Sequence, residues 1–195
     1  MNKVLKIFLV VIVFFITHSL VYSQAVTWQK WYDYNNFEES GDDVIQTFDG
    51  GYIILSNIYT SITRSVVTKT DQFGMIEWQR LYDVNNIGGF SLYLSSVTQA
   101  RDSGYIITGN NQDSAIIFRI NKSGDVKWIK KYFGRSAGFL DHKVTNDGGI
   151  LACGYLFNPS IGCVIKTDSM GNKLWDALYS FTTDIFVILE SKDNS

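Results

Sequence analysis

Proline is nearly absent, at Pro159 alone, and cysteine is scarce, at Cys153 and Cys163. Two cysteines do not make the disulfide framework that holds a very small extracellular fold together. Histidine is limited to His18 and His142, and beyond the N-terminal segment only His142 remains, which excludes a His-based metal cluster. No Gly-x-Ser-x-Gly segment supports a nucleophile elbow, and no Asp-x-Asp-x-Asp-Gly loop of the calcium-binding hand type occurs. Charge is also low, at 18% of residues, whereas aromatics reach 15%. Little charge with many Tyr, Val, Ile and Trp is a strand composition.

The first residues read as an export signal. Lys3 and Lys6 precede an unbroken apolar run of ten residues, 7–16, and Val21-Tyr22-Ser23 offers small residues for cleavage before Gln24. A spanning helix needs about twenty apolar residues, so a cleaved signal peptide over 1–23 is the expectation, and no Cys follows it to carry a lipid. Loss of Lys3 and Lys6 from the 17 basic residues would leave 15 against 19 acidic ones. That mild acidity argues against nucleic acid or an anionic membrane as partner.

Internal repetition dominates the remainder. Asp49-Gly50-Gly51-Tyr52-Ile53-Ile54 recurs as Asp102-Ser103-Gly104-Tyr105-Ile106-Ile107 and as Asp147-Gly148-Gly149-Ile150-Leu151. Asp71-Gln72-Phe73-Gly74 recurs as Asn121-Lys122-Ser123-Gly124 and Asp168-Ser169-Met170-Gly171. Trp28 with Tyr32, Trp78 with Tyr82, Trp128 with Tyr132 and Trp175 with Tyr179 keep a four-residue spacing, at periods of 50, 50 and 47 residues. Each unit predicts four strands, in the first case 44–48, 52–58, 66–70 and 76–82. An Asp-Gly or Gly-Gly pair between apolar runs is a hairpin signal, because glycine supplies the positive φ of a tight turn. The second and third strands are nearly continuous apolar runs, as for strands covered on both faces. The fourth alternates, with Trp and Tyr on one face.

An all-β fold of β-propeller blades follows, about three complete four-stranded antiparallel blades with partial first and last units. A β-helix would need a shorter period, and a sandwich need not repeat its landmarks. The repeats fall at about 33–82, 83–132 and 133–179 within a partial propeller over 24–195, with part-blades at 24–32 and 180–195. Residues 28–32 read as a fourth strand able to complete a last blade, residues 184–190 as a new first strand, and 192–195 align with 101–104. Rings usually have four to eight blades, so a fragment of a longer repeat protein is expected.

The carrying motif, Asp71-x-x-Gly74-x-x-x-Trp78, Asn121-x-x-Gly124-x-x-x-Trp128 and Asp168-x-x-Gly171-x-x-x-Trp175, resembles the tandem propeller repeats of large secreted bacterial proteins. Those repeats often carry type IX sorting tails and are related in pattern to quinoprotein-like (PQQ-like) propellers. The resemblance spans 24–195 and implies that each Trp packs between adjacent blades. It is a likeness of scaffold, and fold alone does not carry activity.

Residues with chemical potential have bland readings beside the sharp ones. The Trp residues could stack on a sugar or quinone, or pack between blades. Asp49, Asp102, Asp147, Asp71 and Asp168 could ligate calcium, or make Asx turns. Lys69, Arg119 and Lys166 recur two residues before each second turn and could form a ladder for an anion, or be paired. Cys153 and Cys163 could be bonded, or be buried free thiols. No catalytic residue, cofactor site or metal site is identified. The expectation is a non-enzymatic secreted or cell-surface interaction module, exported to the periplasm, the cell surface or beyond. Its partner would be a protein or glycan, further blades, or another copy. A carbohydrate-binding propeller is the alternative, and a quinone-dependent dehydrogenase a remoter one.

Overall fold

The computed structural model describes residues 28–83, 91–134, 136–180 and 182–188. The expected signal peptide and residues 189–195 lie outside them. The chain divides into two units, Met1–Lys30 and Trp31–Ser195. In the first, residues 28–30 form no regular element. All elements described are strands, and among the described residues no helix is long and apolar enough to cross a membrane.

Twelve strands make three four-stranded antiparallel meanders. Sheet 1 comprises β1 (Glu39–Gln46), β2 (Tyr52–Tyr59), β3 (Thr63–Thr70) and β4 (Ile76–Tyr82). Sheet 2 comprises β5 (Tyr93–Gln99), β6 (Tyr105–Asn110), β7 (Ala115–Ile120) and β8 (Val126–Tyr132). Sheet 3 comprises β9 (Ala137–Val144), β10 (Ile150–Leu156), β11 (Ile161–Thr167) and β12 (Lys173–Tyr179). The blade-like sheets thus match the repeat units. β1 departs from expectation by starting at Glu39 and stopping at Gln46, because Thr47 and Asp49 are drawn into the turn: Thr47 N bonds Gly51 O, and Thr47 Oγ1 donates to Asp49 Oδ1. The first strand of every sheet also carries a one-residue bulge, at Asp42, Ser95 and Leu140.

Sheet 2 is covered on both faces. Tyr105, Ile107, Ile116 and Phe118 pack toward Ile53, Leu55 and Val67 of sheet 1. Ile106, Ala115 and Ile117 pack toward Phe139, Ile150, Ala152 and Ile165 of sheet 3. The period-2 alternation of a strand explains why adjacent isoleucines enter different cores. Full burial of one such side chain contributes about 2–3 kcal/mol.

One contact is repeated at each junction. Tyr82 Oη donates to Gly124 O at 2.5 Å, and Tyr132 Oη to Gly171 O at 2.6 Å. Tyr32 Oη donates to Gly74 O at 3.1 Å. The tyrosine rings pack on Phe118 and Phe139, with centroids 5.6 and 5.7 Å apart. Gly124 and Gly171 lie in the turn before the fourth strand, under Trp78 and Trp128 of the preceding sheet. Residues 28–32, expected as a strand, are not one, yet Tyr32 keeps the contact.

Sheet 3 receives residues 182–188 much as sheet 1 receives β5. Val97 N donates to Asp43 Oδ2 at 2.8 Å, and Ile188 N to Asp141 Oδ2 at 3.2 Å, at the matching repeat positions. Ile185 N also bonds Gly154 O at 3.2 Å. Residues 184–188 of the expected first strand at 184–190 have no strand geometry, and 189–190 lie outside the described residues.

Gly171 combines φ +77° with a site where a Cβ would come within 2.9 Å of Trp128 and of the Lys130 stem. Gly148 has φ +81° and open space around it. Both alanine variants carry a left-handed penalty of about 1–2 kcal/mol, and Gly171→Ala should lose about 1–3 kcal/mol more from overpacking. Urea denaturation of the two variants measures this; equal losses would contradict the packed junction.

Candidate functional site

The repeated hairpin turns hold carboxylates for local reasons. Asp49, Asp102 and Asp147 each accept, through Oδ1, the backbone N–H two residues on, from Gly51, Gly104 and Gly149 at 3.1, 3.1 and 2.9 Å. The second turns repeat the device: Asp71 Oδ1 accepts from Phe73 and Met75, Asn121 Oδ1 from Ser123 and Asp125, and Asp168 Oδ1 from Met170 and Asn172. These are Asx turns. Among the described residues no group of three or more His, Cys, Asp or Glu could hold a metal ion.

The recurring cations meet those same turns. Lys69 pairs with Asp49 at 3.0 Å and with Glu77 at 3.0 Å, Arg119 with Asp102 at 2.7 Å, and Lys166 with Asp147 at 2.8 Å. Each cation thus ties its own hairpin to the third strand, and Lys69 is buried while doing so. The Thr47 hydroxyl, with help from Lys69, holds Asp49 down at about 2. Lys166 and Thr145 hold Asp147 well below the usual carboxylate range. Arg119 lowers Asp102. The basic ladder is therefore ion-paired within its sheets.

The repeated tryptophans divide. Trp78 donates from Nε1 to Lys122 O at 3.0 Å and meets Tyr105 edge-on at 6.3 Å. Trp128 lies against the second core. Trp175, at the same repeat position on sheet 3, is 48% exposed. Trp28 is exposed as well.

Cys153 and Cys163 are free buried thiols, so the disulfide considered from sequence is not formed. Register gives the reason. Cys153 pairs with Val164 and Cys163 with Gly154, an offset of one residue that sends the two side chains to opposite faces of sheet 3. Cys163 enters the core shared with sheet 2. Burial pushes both thiols up to about 12, so neither is a nucleophile at neutral pH.

Sequence reasoning missed the buried polar groups that join one sheet to the next. Asn57, fully buried, donates to Leu94 O at 2.8 Å and accepts from Leu94 N at 3.0 Å, which clips β5 to β2. Its amide also reaches Asp42 Oδ2 at 2.6 Å, and Asp42 Oδ1 takes the Tyr93 hydroxyl. Ser95 Oγ donates to Phe139 O at 2.6 Å. His142 is fully buried, shares a hydrogen bond with Thr108 Oγ1 through Nδ1 at 3.0 Å, and has no Nε2 partner among the described residues. No periodic sequence signal announces these residues, because their partners lie on other sheets.

Two clefts open beside the junction tyrosines. The first lies by Arg80, Tyr82, Gly124 and Asp125, with about 340 Å³. The second, of about 380 Å³, is lined by Lys130, Lys131, Tyr132, Phe133, Asn172 and Lys173 among others. No protein-family model matches the chain, and no curated protein shows significant similarity to it.

Two solution tests follow. Burial lowers the His142 pKa from 6.5 to about 4, against the opposing pull of Asp141. The unfolded chain then binds a proton that the folded chain refuses between those values. Stability is full above about pH 6.5 and should fall by up to about 3 kcal/mol as pH drops toward 4. Denaturation at stepped pH should show this slope, and His142→Gln should flatten it; an unchanged slope would contradict the buried neutral imidazole. Thiol labelling without reductant should modify two cysteines per unfolded chain and essentially none in the native protein.

Proposed function

We propose that the chain is a non-enzymatic, exported interaction module of β-propeller type, whose sheets are blades arranged about a common axis. The observation that carries this reading is the junction contact itself. One tyrosine-to-glycine bond recurs at Gly74, Gly124 and Gly171, and the Val97–Asp43 bond recurs as Ile188–Asp141. Repetition of one docking geometry is what radial blades require. The repeated acidic and basic residues are occupied in turn closure, and Trp78 and Trp128 in docking.

Interaction is assigned to the outer side of sheet 3. There Trp175 stands 48% exposed, and Phe186 and Val187 are 67% and 65% exposed. Because Trp78 and Trp128 already dock onto a neighbouring sheet from this repeat position, the fitting partner is another blade of the same repeat, in a longer chain or in a second copy. The order of Lys3, Lys6, apolar run and Ser23 supports export. The saccharide alternative draws on one feature, the cleft of about 330 Å³ where exposed Phe48 stands beside Asp49, Glu77 and Lys122.

Light scattering on the purified protein provides the test. Concentration-dependent association is expected, and Trp175→Glu should shift it toward monomer. A monomer at every soluble concentration, with the variant indistinguishable, would overturn the assignment of this face.

A further inference from the structure

The junction between sheets 1 and 2 carries polar groups that docking does not require. Docking repeats between sheets 2 and 3, where Trp128 takes the place of Trp78 and Asp102 that of Asp49. Phe48, Glu77, Gln99 and Tyr105 have no like counterpart there: their repeat positions hold Arg101, Lys127, Val144 and Ile150.

These four side chains line one cleft of about 330 Å³ at the turn end of the junction. Strand register brings them together. Lys69 on β3 pairs with both Ile53 and Trp78, so all three face the core shared with sheet 2. Gln99 pairs with Tyr105, whose ring enters that core from the other side. Phe48 lies in the turn between β1 and β2, and its N–H donates to Gln99 Oε1 at 2.7 Å. That bond holds the turn against sheet 2 and leaves the Phe48 ring exposed.

Tyr105 is the buried group without a partner. It is 1% exposed, yet it lines the cleft, and its hydroxyl makes no hydrogen bond with the described residues. Burial, and then the Asp49 and Glu77 carboxylates, push Tyr105 up to about 12, so it remains a donor at neutral pH. Leaving a buried hydroxyl unpaired is costly. Its neighbours also have capacity to spare. Gln99 uses its amide oxygen and not Nε2, and Glu77 meets Lys69 through Oε2 alone among the described residues. Asp49 and Glu77 stand against Lys69 and Lys122 in the lining, two charges of each sign. Such a balance favours neither an anion nor a cation.

We propose that this cleft binds a single neutral hexose, its ring against Phe48 and its hydroxyls shared among Tyr105 Oη, Gln99 Nε2 and Glu77 Oε1. A sugar hydroxyl both donates and accepts, which suits a phenol and an amide donor set beside a carboxylate acceptor. About 330 Å³ is at the small end of ligand clefts and admits one ring. The site gives the saccharide alternative its residues and is independent of the docking face on sheet 3. A chain that stays monomeric can still bind the sugar.

The experiment is an amide NMR titration of the whole protein with glucose, galactose and mannose, and with glucuronate and glucosamine as charged controls. At least one neutral hexose should give saturable shifts at Phe48, Gln99 and Tyr105, with a dissociation constant of about 1–10 mM. Val144 and Ile150, the matching positions of the other junction, should not respond, and neither charged sugar should bind more tightly. Tyr105→Phe keeps the ring, removes the hydroxyl and should weaken binding about three- to tenfold. Phe48→Ala, at an exposed position, should weaken it by a similar factor, and Phe48→Tyr should restore it. If Tyr105→Phe loses its fold, the two Phe48 variants decide the outcome. The proposal is overturned by the absence of saturable shifts with all three hexoses, by tighter binding of a charged sugar, or by undiminished binding in the folded variants.

Discussion

A tyrosine hydroxyl on the last strand of one sheet donates to the carbonyl of a left-handed glycine in the next, and the other junction contacts are organised around that bond. The glycine must lack a side chain because the preceding sheet's Trp occupies the space, as Trp128 does above Gly171. The Trp in turn needs the tyrosine four residues on to share its face, which fixes strand geometry between them. Burial raises the pKa of both Tyr82 and Tyr132, so each remains a protonated donor. Sheet-to-sheet order therefore rests on a polar contact enclosed by aromatic packing, where an unmade hydrogen bond would be expensive.

Within each sheet, charge closes turns. The carboxylate of the first turn serves a backbone N–H and a cation on the third strand at once, as in Asp147 with Gly149 and Lys166. Between sheets, polar side chains hold the next sheet's first strand, through Asn57 to Leu94 and Ser95 to Phe139. Residues that look chemically active in a list are thus consumed by architecture. Among the described residues, Trp175 is the repeated tryptophan of a sheet that stays exposed.

The sequence made the units legible because their landmarks are local. An Asx residue followed by a positive-φ glycine writes its own turn, so the hairpin positions and the strands that flank them follow from short-range chemistry. Partner-dependent features were not legible. The bulges at Asp42, Ser95 and Leu140 exist only in pairing, and they shift side chains that a simple alternation would misplace. The same holds for Cys153 and Cys163, which are close in sequence yet divided by a one-residue register offset. Residues 28–32 carry a strand pattern without a strand, their Tyr32 nevertheless making the junction bond.

If sheets are stabilised by their neighbours, loosening one junction should loosen the sheets beside it and spare the far one. Native-state hydrogen exchange of Tyr132→Phe, which deletes the bond to Gly171, measures this most directly. Faster exchange is predicted in β9 to β12 and on the facing strands of sheet 2, with β1 to β3 unchanged. Uniform acceleration across all three sheets, or no acceleration anywhere, would contradict the account.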